Sequence, residues 1–262
     1  MSPKRTNPPR ILITNDDGIH APGIMALYRA MRPLGEVHIV APVVEKSGAA
    51  HAITMTDPLK VTRVDREDGF SGFAITGTPS DCVKLAIGGL LKFTPDLVVS
   101  GINQGDNSAT NAIYSGTVAG AREGALMGAP AIAFSLASFR YRDFTLSQKI
   151  ATLVAERVLR EGLPEDALLN VNIPPVEPAD LQGIKMASMG KSRYEDFFEE
   201  RFNPQKQPYF WLQGRKITLD EDPRTDDLVV NSGYVAITPL QVDQTHYGMM
   251  DRFEDWDWPL GE

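Results

Sequence analysis

Alternating apolar runs and helical stretches predict an α/β fold, a mostly parallel sheet with helices on both faces. Two features carry this reading. The apolar runs are short and lack polar alternation, as in strands covered on both sides. They stop abruptly at loops of Gly, Asn, Asp and Ser, and helical spacing then resumes. The class is Rossmann-like, with an extended hairpin-bearing C-terminal appendage.

Ile11 to Thr14 reads as the first buried strand, ending in Asp16-Asp17-Gly18. Pro22 suits the first turn of a helix that continues through Ile24 to Met31. Val37 to Ala41 is a second strand, and its exit, Pro42 to Thr54, is rich in small residues and contains Ser47-Gly48. Lys60 to Val64 and Phe73 to Thr76 are strand-like about the turn Asp65 to Gly72. Thr78 caps a helix with Pro79 in its first position, running to about Leu91. Asp96 to Ser100 is another buried strand, followed by the loop Gly101 to Asn107. Tyr114 to Val118 opens a small-residue helix to about Met127, and Ala131 to Leu136 is the next strand. Leu146 to Arg160 is amphipathic, and Leu168 to Ile173 is a further strand. Beyond Pro174, strand-like pieces at Ile184 to Ala187, Tyr209 to Leu212 and Tyr234 to Thr238 lack matching helices. Residues 1–174 are therefore expected to form the core with the site, and residues 175–262 an arm for oligomerisation, the two able to merge into one domain.

The chain has 262 residues, 42% of them hydrophobic, with no apolar run near the ~18 residues of a membrane span. Residues 1–10 carry basic side chains and prolines but no apolar stretch, as in a disordered leader. Cys82 is the only cysteine, so no internal disulfide forms, in keeping with a cytoplasmic protein. The net charge of −8 argues against duplex nucleic acid as a partner. Much of it lies in the acidic stretch from Asp251 to Glu262.

In parallel sheets the strand exits share one edge, where ligands bind. Asp16 and Asp17, Ser47, and Asn103 with Asn107 all occupy such exits. Two adjacent carboxylates repel unless a cation, a shared proton or a basic partner intervenes; the alternative is that they start a turn and cap a helix. Carboxylates with an amide oxygen and a hydroxyl form a hard set suited to Mg²⁺, Mn²⁺ or Ca²⁺. His20, His38, His51 and His246 show no zinc spacing. Ser115-Gly116-Thr117 opens a helix, where exposed N–H groups and hydroxyls favour a phosphate, or where Ser or Thr is a simple cap.

Ile13-Thr-Asn-Asp-Asp-Gly18, Ser47-Gly48, Gly77-Thr-Pro-Ser-Asp-Cys-Val83, Pro95 to Asn103, Tyr114 to Ala121 and Gly233 to Leu240 together resemble the survival protein SurE family. The similarity spans nearly the whole chain. It implies a metal-dependent 5'-nucleotidase and acid phosphatase acting on nucleoside monophosphates, with 3'-nucleotidase, short-chain polyphosphatase or non-catalytic nucleotide binding as alternatives. It implies Asp16, Asp17, Ser47 and Asn103 as ligands of one divalent cation per subunit, Mg²⁺ or Mn²⁺. Asp16 and Asp17 are then the catalytic pair, and Asn107, Ser115, Gly116 and Thr117 the phosphate-binding set. A homodimer or homotetramer is expected. Lys46, where the family usually has glutamine, and the loop Gly105 to Thr110, less glycine-rich than usual, flank the expected pocket.

Overall fold

The computed structural model describes residues 7–254 and 256–258. Part of the basic leader and part of the acidic tail read from the sequence lie outside these described residues.

In chain order the elements are β1 (Arg10–Thr14), α1 (Pro22–Met31), β2 (Glu36–Pro42), β3 (Val61–Asp65), β4 (Ser71–Ile75), α2 (Pro79–Leu85), β5 (Leu97–Gln104), α3 (Asn111–Tyr114), α4 (Gly116–Leu126), β6 (Ala131–Leu136) and α5 (Thr145–Glu161). They continue with β7 (Ala167–Ile173), β8 (Ile184–Met186), β9 (Arg193–Phe202), β10 (Pro208–Ile217), α6 (Asp226–Asn231), β11 (Val235–Gln241) and α7 (Tyr247–Glu254). A nine-stranded sheet has the order β3-β4-β2-β1-β5-β6-β7-β11-β8. From β4 to β7 all pairings are parallel, whereas β3 and β11 run antiparallel to β4 and β7.

β1 explains why the sheet is buried on both sides. Ile11 and Ile13 face one core together with α1 and α5, while Leu12 faces the other, among residues of α2 and α4. Alternating side chains of one strand thus enter opposite layers, which requires an uninterrupted apolar run. α4 lies close to β5 because it is built from small residues. A Cβ added at Gly124 would sit 2.7 Å from the Val98 Cβ, so a larger residue would push the helix off the sheet.

β1 has β2 on one side and β5 on the other, so the chain reverses its direction of winding there. This is a topological switch point, and in open α/β sheets ligands bind there, at the carboxyl ends of the strands.

Several elements differ from the sequence reading: a short helix, α3, precedes α4, and α6 and α7 supply helices beyond Pro174, where the sequence pattern shows only strand-like pieces. β5 continues past Ser100 to Gln104, because a register shift lets Asn103 and Gln104 keep pairing with Ser135 and Leu136 of β6. β9, a strand with exposed residues along nearly all its length, pairs with β10 in a separate two-stranded sheet. β8 and β11 join the main sheet beside β7.

Candidate active site

The last residues of β1 and the turn after it are tightly constrained. Asn15 is fully buried, and its side-chain amide donates to the Gly18 carbonyl at 2.9 Å, closing the turn that presents Asp16 and Asp17. The backbone N–H of Lys46 donates to the Asp16 carbonyl at 2.7 Å, fastening the loop after β2 to the same turn. Ser115 is the N-cap of α4, its hydroxyl accepting from the Val118 N–H at 3.0 Å.

Asp16 meets that helix directly. Its carboxylate accepts from the Thr117 hydroxyl and from the Thr117 backbone N–H. An added Cβ at Gly116 would come within 2.7 Å of the Asp16 Cβ and 2.9 Å of its Oδ2, so only glycine allows this approach. Burial nevertheless raises the Asp16 carboxyl above its usual range, against the Thr117 hydrogen bonds. Burial first, and the neighbouring Asp16 charge second, push the Asp17 carboxyl up to about 7, opposed by the backbone N–H of Gln104.

Gln104 follows Asn103, so that contact brings the end of β5 to the carboxylate pair. The Asn103 amide nitrogen donates to the Gly105 carbonyl at 2.8 Å, leaving the amide oxygen as the group for a ligand. Ser47 is exposed, and its hydroxyl donates to Glu45 Oε1 at 2.7 Å. Glu45 was not anticipated from the sequence; its charge acts on both Asp16 and Asp17. Its position three residues beyond Pro42, on the same strand exit as Ser47, is the signal that could have found it.

Asn107 is held differently. Its backbone N–H donates to Asn172 Oδ1 at 2.8 Å and its side-chain amide to the Ser135 hydroxyl at 2.8 Å, while Asn170 donates to its carbonyl at 2.7 Å. It therefore rests on the ends of β6 and β7, without a hydrogen bond to the aspartate pair among the described residues. Both Thr117 donors are used on Asp16, so of the Ser115-Gly116-Thr117 turn the Gly116 N–H and the Ser115 hydroxyl remain for an anion.

Sequence reading also missed His51. Its Nε2 lies 2.8 Å from Glu123 Oε2, and Lys84 Nζ lies 2.6 Å from Glu123 Oε1. The loop carrying Ser47 is thereby tied to α2 and α4. Cys82 is fully buried, as its apolar helix implies.

The donor set suits a hard cation. Among the described residues no group of His, Cys, Asp and Glu is arranged to hold a metal by itself. Among the described residues no lysine or arginine is seen to act on the Asp16 and Asp17 pair either. The buried Asp16 and half-buried Asp17 carboxylates, with the neutral oxygens of Asn103 and Ser47 on neighbouring strand exits, are the oxygen donor types that such a cation takes.

The fold and this site define an α/β protein with a carboxylate pair at its switch point, Asp16 of that pair meeting the N-terminus of α4. The family model described as survival protein SurE matches residues 11–196, and the chain belongs to that family. It is 44% identical over 253 residues to the 5'-nucleotidase SurE of Chlorobium luteolum, covering 97% of this chain and 98% of that one. The 5'-nucleotidase SurE of Pelotomaculum thermopropionicum is 47% identical, with 94% of each chain covered. The crystal structure of the SurE protein from Aquifex aeolicus superposes with a TM-score of 0.81 at 40% identity, covering 94% of this chain and 98% of that one.

Proposed function

We propose that this chain is a 5'-nucleotidase, a hydrolase releasing phosphate from nucleoside monophosphates. The observation that carries this reading is the Asp16 and Asp17 pair, Asp16 buried against the start of α4 and Asp17 half-buried beside it, with no basic side chain among the described residues acting on either. Relatives named 5'-nucleotidase over nearly their full length support it.

Asp16, Asp17, Ser47 and Asn103 would hold one divalent cation per subunit, Mg²⁺ or Mn²⁺. When bound, that cation supplies Lewis-acid neutralisation of phosphate charge. The chain's own residues do the rest. Thr117 fixes the rotamer of Asp16 from two directions. The Gly116 N–H, the Ser115 hydroxyl and the dipole of α4 take the phosphoryl oxygens, where fixed donors act on charge as it shifts. Asn107 has one amide hydrogen beyond its bond to Ser135 for the same purpose. Were both carboxylates to hold that cation, neither would be free to attack phosphorus, and a water would serve as the nucleophile with the nucleoside oxygen leaving opposite.

The arm after Pro174 supports a homodimer or homotetramer, since Phe198 and Phe210 on β9 and β10 are 68% and 58% exposed. No helix among the described residues is long and apolar enough to cross a membrane; we place the protein in the cytoplasm.

Release of inorganic phosphate from AMP and GMP, with Mn²⁺ or Mg²⁺ and after exhaustive chelation, tests the reading. Activity that appears with metal and vanishes with chelator is expected. No release from any nucleoside monophosphate, or full activity in the chelated protein, would overturn it.

A further inference from the structure

Away from the Asp16 and Asp17 pair, the root of the β9–β10 hairpin gathers three further carboxylates. Asp226 and Asp227 open α6, and Asp220 lies between β10 and that helix. Asp226 is used within the fold. It is fully buried, and its carboxylate accepts from the backbone N–H groups of Ala109, Gly190 and Asp227, each at 3.0 Å. Asp227 has no such use. It is 2% exposed, and neither of its carboxylate oxygens has a hydrogen-bond partner among the described residues. We propose that Asp227 and Asp220 bind a hard divalent cation beside Gly190, at a second site separate from the Asp16 and Asp17 centre.

Gly190, in the segment joining β8 to β9, shows where the two carboxylates meet. A Cβ added there would lie 2.8 Å from Asp220 Oδ2 and 2.9 Å from Asp227 Oδ1, so both oxygens border the space that the missing side chain leaves. The next neighbour of that space is the Ala109 methyl at 3.3 Å, which has no proton to donate. Both carboxylates are held in place. Asp220 Oδ2 accepts from the Lys191 N–H at 2.5 Å and the Ser192 N–H at 3.1 Å, and the Asp226 N–H donates to the Ser188 carbonyl at 2.9 Å, locking the start of α6 to the Gly190 segment.

Neighbouring basic side chains are committed elsewhere. Lys216 reaches Asp106 at 2.5 Å and the Ser108 hydroxyl at 3.1 Å, and Arg224 pairs with Asp222 at 2.8 Å. A buried carboxylate without donor or counter-charge is costly, and a cation between two carboxylates supplies what both lack. A proton would serve one oxygen of Asp227 and leave the other bare. The cluster contains neither histidine nor cysteine, so its chemistry is that of Ca²⁺, Mg²⁺ or Mn²⁺ and not of zinc. Like the Asp16 and Asp17 centre it has two carboxylates, and half-buried Asp220 leaves a side on which water completes the shell. Through Asp226 and the Ala109 N–H, the cation would brace the loop that carries Asn107 against the hairpin root.

The test counts bound Mn²⁺ per chain by electron paramagnetic resonance after exhaustive chelation, and repeats the titration with Ca²⁺ by calorimetry. Asp17→Asn, which weakens the first centre, should still bind one equivalent, and adding Asp227→Asn should abolish it. Asp220→Asn, at a less buried position, should weaken that equivalent about tenfold or more. Gly190→Ala, whose methyl would fill the space between the carboxylates, should do the same. Ca²⁺ should raise the melting temperature of Asp17→Asn and leave that of the double variant unchanged. A single equivalent that disappears with Asp17→Asn would overturn this site while leaving the Asp16 and Asp17 reading intact. An equivalent that survives in Asp227→Asn or, should that variant fail to fold, in both Asp220→Asn and Gly190→Ala would also overturn it. A single equivalent that survives Asp17→Asn and is lost with Asp227→Asn would uphold this site and count against the first.

Discussion

Thr117 donates both its hydroxyl and its backbone N–H to the carboxylate of Asp16. A carboxylate at a helix N-terminus is stabilised by the helix dipole, and here it is also aimed. Removing the hydroxyl while keeping the bulk isolates that aiming. Thr117→Val is expected to lose about 10- to 100-fold in activity, as when a group orienting a metal ligand is removed. Thr117→Ser should stay near wild type. The measurement is kcat/KM on AMP at saturating Mn²⁺, and a valine variant within twofold of wild type would refute the role.

Gly116→Ala should be worse than the loss of the hydroxyl. The new methyl would sit 2.7 Å from the Asp16 Cβ, so either Asp16 or the start of α4 must move. Overpacking of this kind costs about 1–3 kcal/mol. Urea denaturation should show that loss, and activity should fall below that of Thr117→Val.

Burial and the Asp16 charge both oppose ionisation of the Asp17 carboxyl and push it up to about 7 in the folded protein. Between the ordinary carboxylate range and about pH 7, the folded state holds a proton that the unfolded chain has released. Stability of the chelated protein should therefore fall as pH rises through that window and level off above it. Asp17→Asn should make this slope shallower, leaving the part that the raised Asp16 carboxyl contributes, and be the more stable protein at pH 8 without metal. Mn²⁺ should raise the melting temperature of wild type at pH 8, and raise that of the variant much less. Thermal melts across pH with chelator check this; identical flat profiles would contradict it.

Asp81 shows the opposite sign. Burial works to raise its carboxyl, but hydrogen bonds from Thr54 and Thr78 outweigh that and hold it below the usual value. It accepts from the Thr54 N–H at 2.9 Å, the Thr54 hydroxyl at 2.6 Å and the Thr78 N–H at 2.9 Å, completing the capping box of α2. Its contribution is present above the unfolded carboxylate range and is lost as pH falls through the depressed folded value. Asp81→Asn should cost about 1–3 kcal/mol at pH 7, and the gap to wild type should narrow in acid. Chemical denaturation at both pH values is the check.

The hairpin predicts assembly. Replacing residues 194–216 by a short turn should give a monomer by light scattering at micromolar concentration. A wild-type protein that is already monomeric there would remove the basis for the arm's role.

The parallel strands and their exits were legible because strands covered on both sides must be apolar throughout, and β1, β6 and β7 leave little room for another reading. β9 was not. Arg193 to Phe202 mixes acids and phenylalanines without a covered face, and its pairing depends on β10 across the turn. The candidate site was legible only as residue types at strand ends, since the positions of Asp16, Asp17 and Asn103 at the ends of β1 and β5 follow from strand order. Which oxygen serves which partner was not. Thr117 reads as a phosphate donor until α4 is placed against β1, and His51 gains a partner only when Glu123, far along the chain, comes to lie beside it.

The two hairpin roots are fastened beside the site, while the tip, closed by Asn203 and Gln207, lies at the other end of its strands. Insertions or deletions in matched pairs between root and tip preserve which side chains face which way. Such changes would lengthen or shorten the reach of the arm without shifting Asp106 or Thr110, to which its root is fastened through Lys216 and Ser192. Quaternary geometry can thus diverge among descendants of this chain while the chemistry at the end of β1 stays under separate selection.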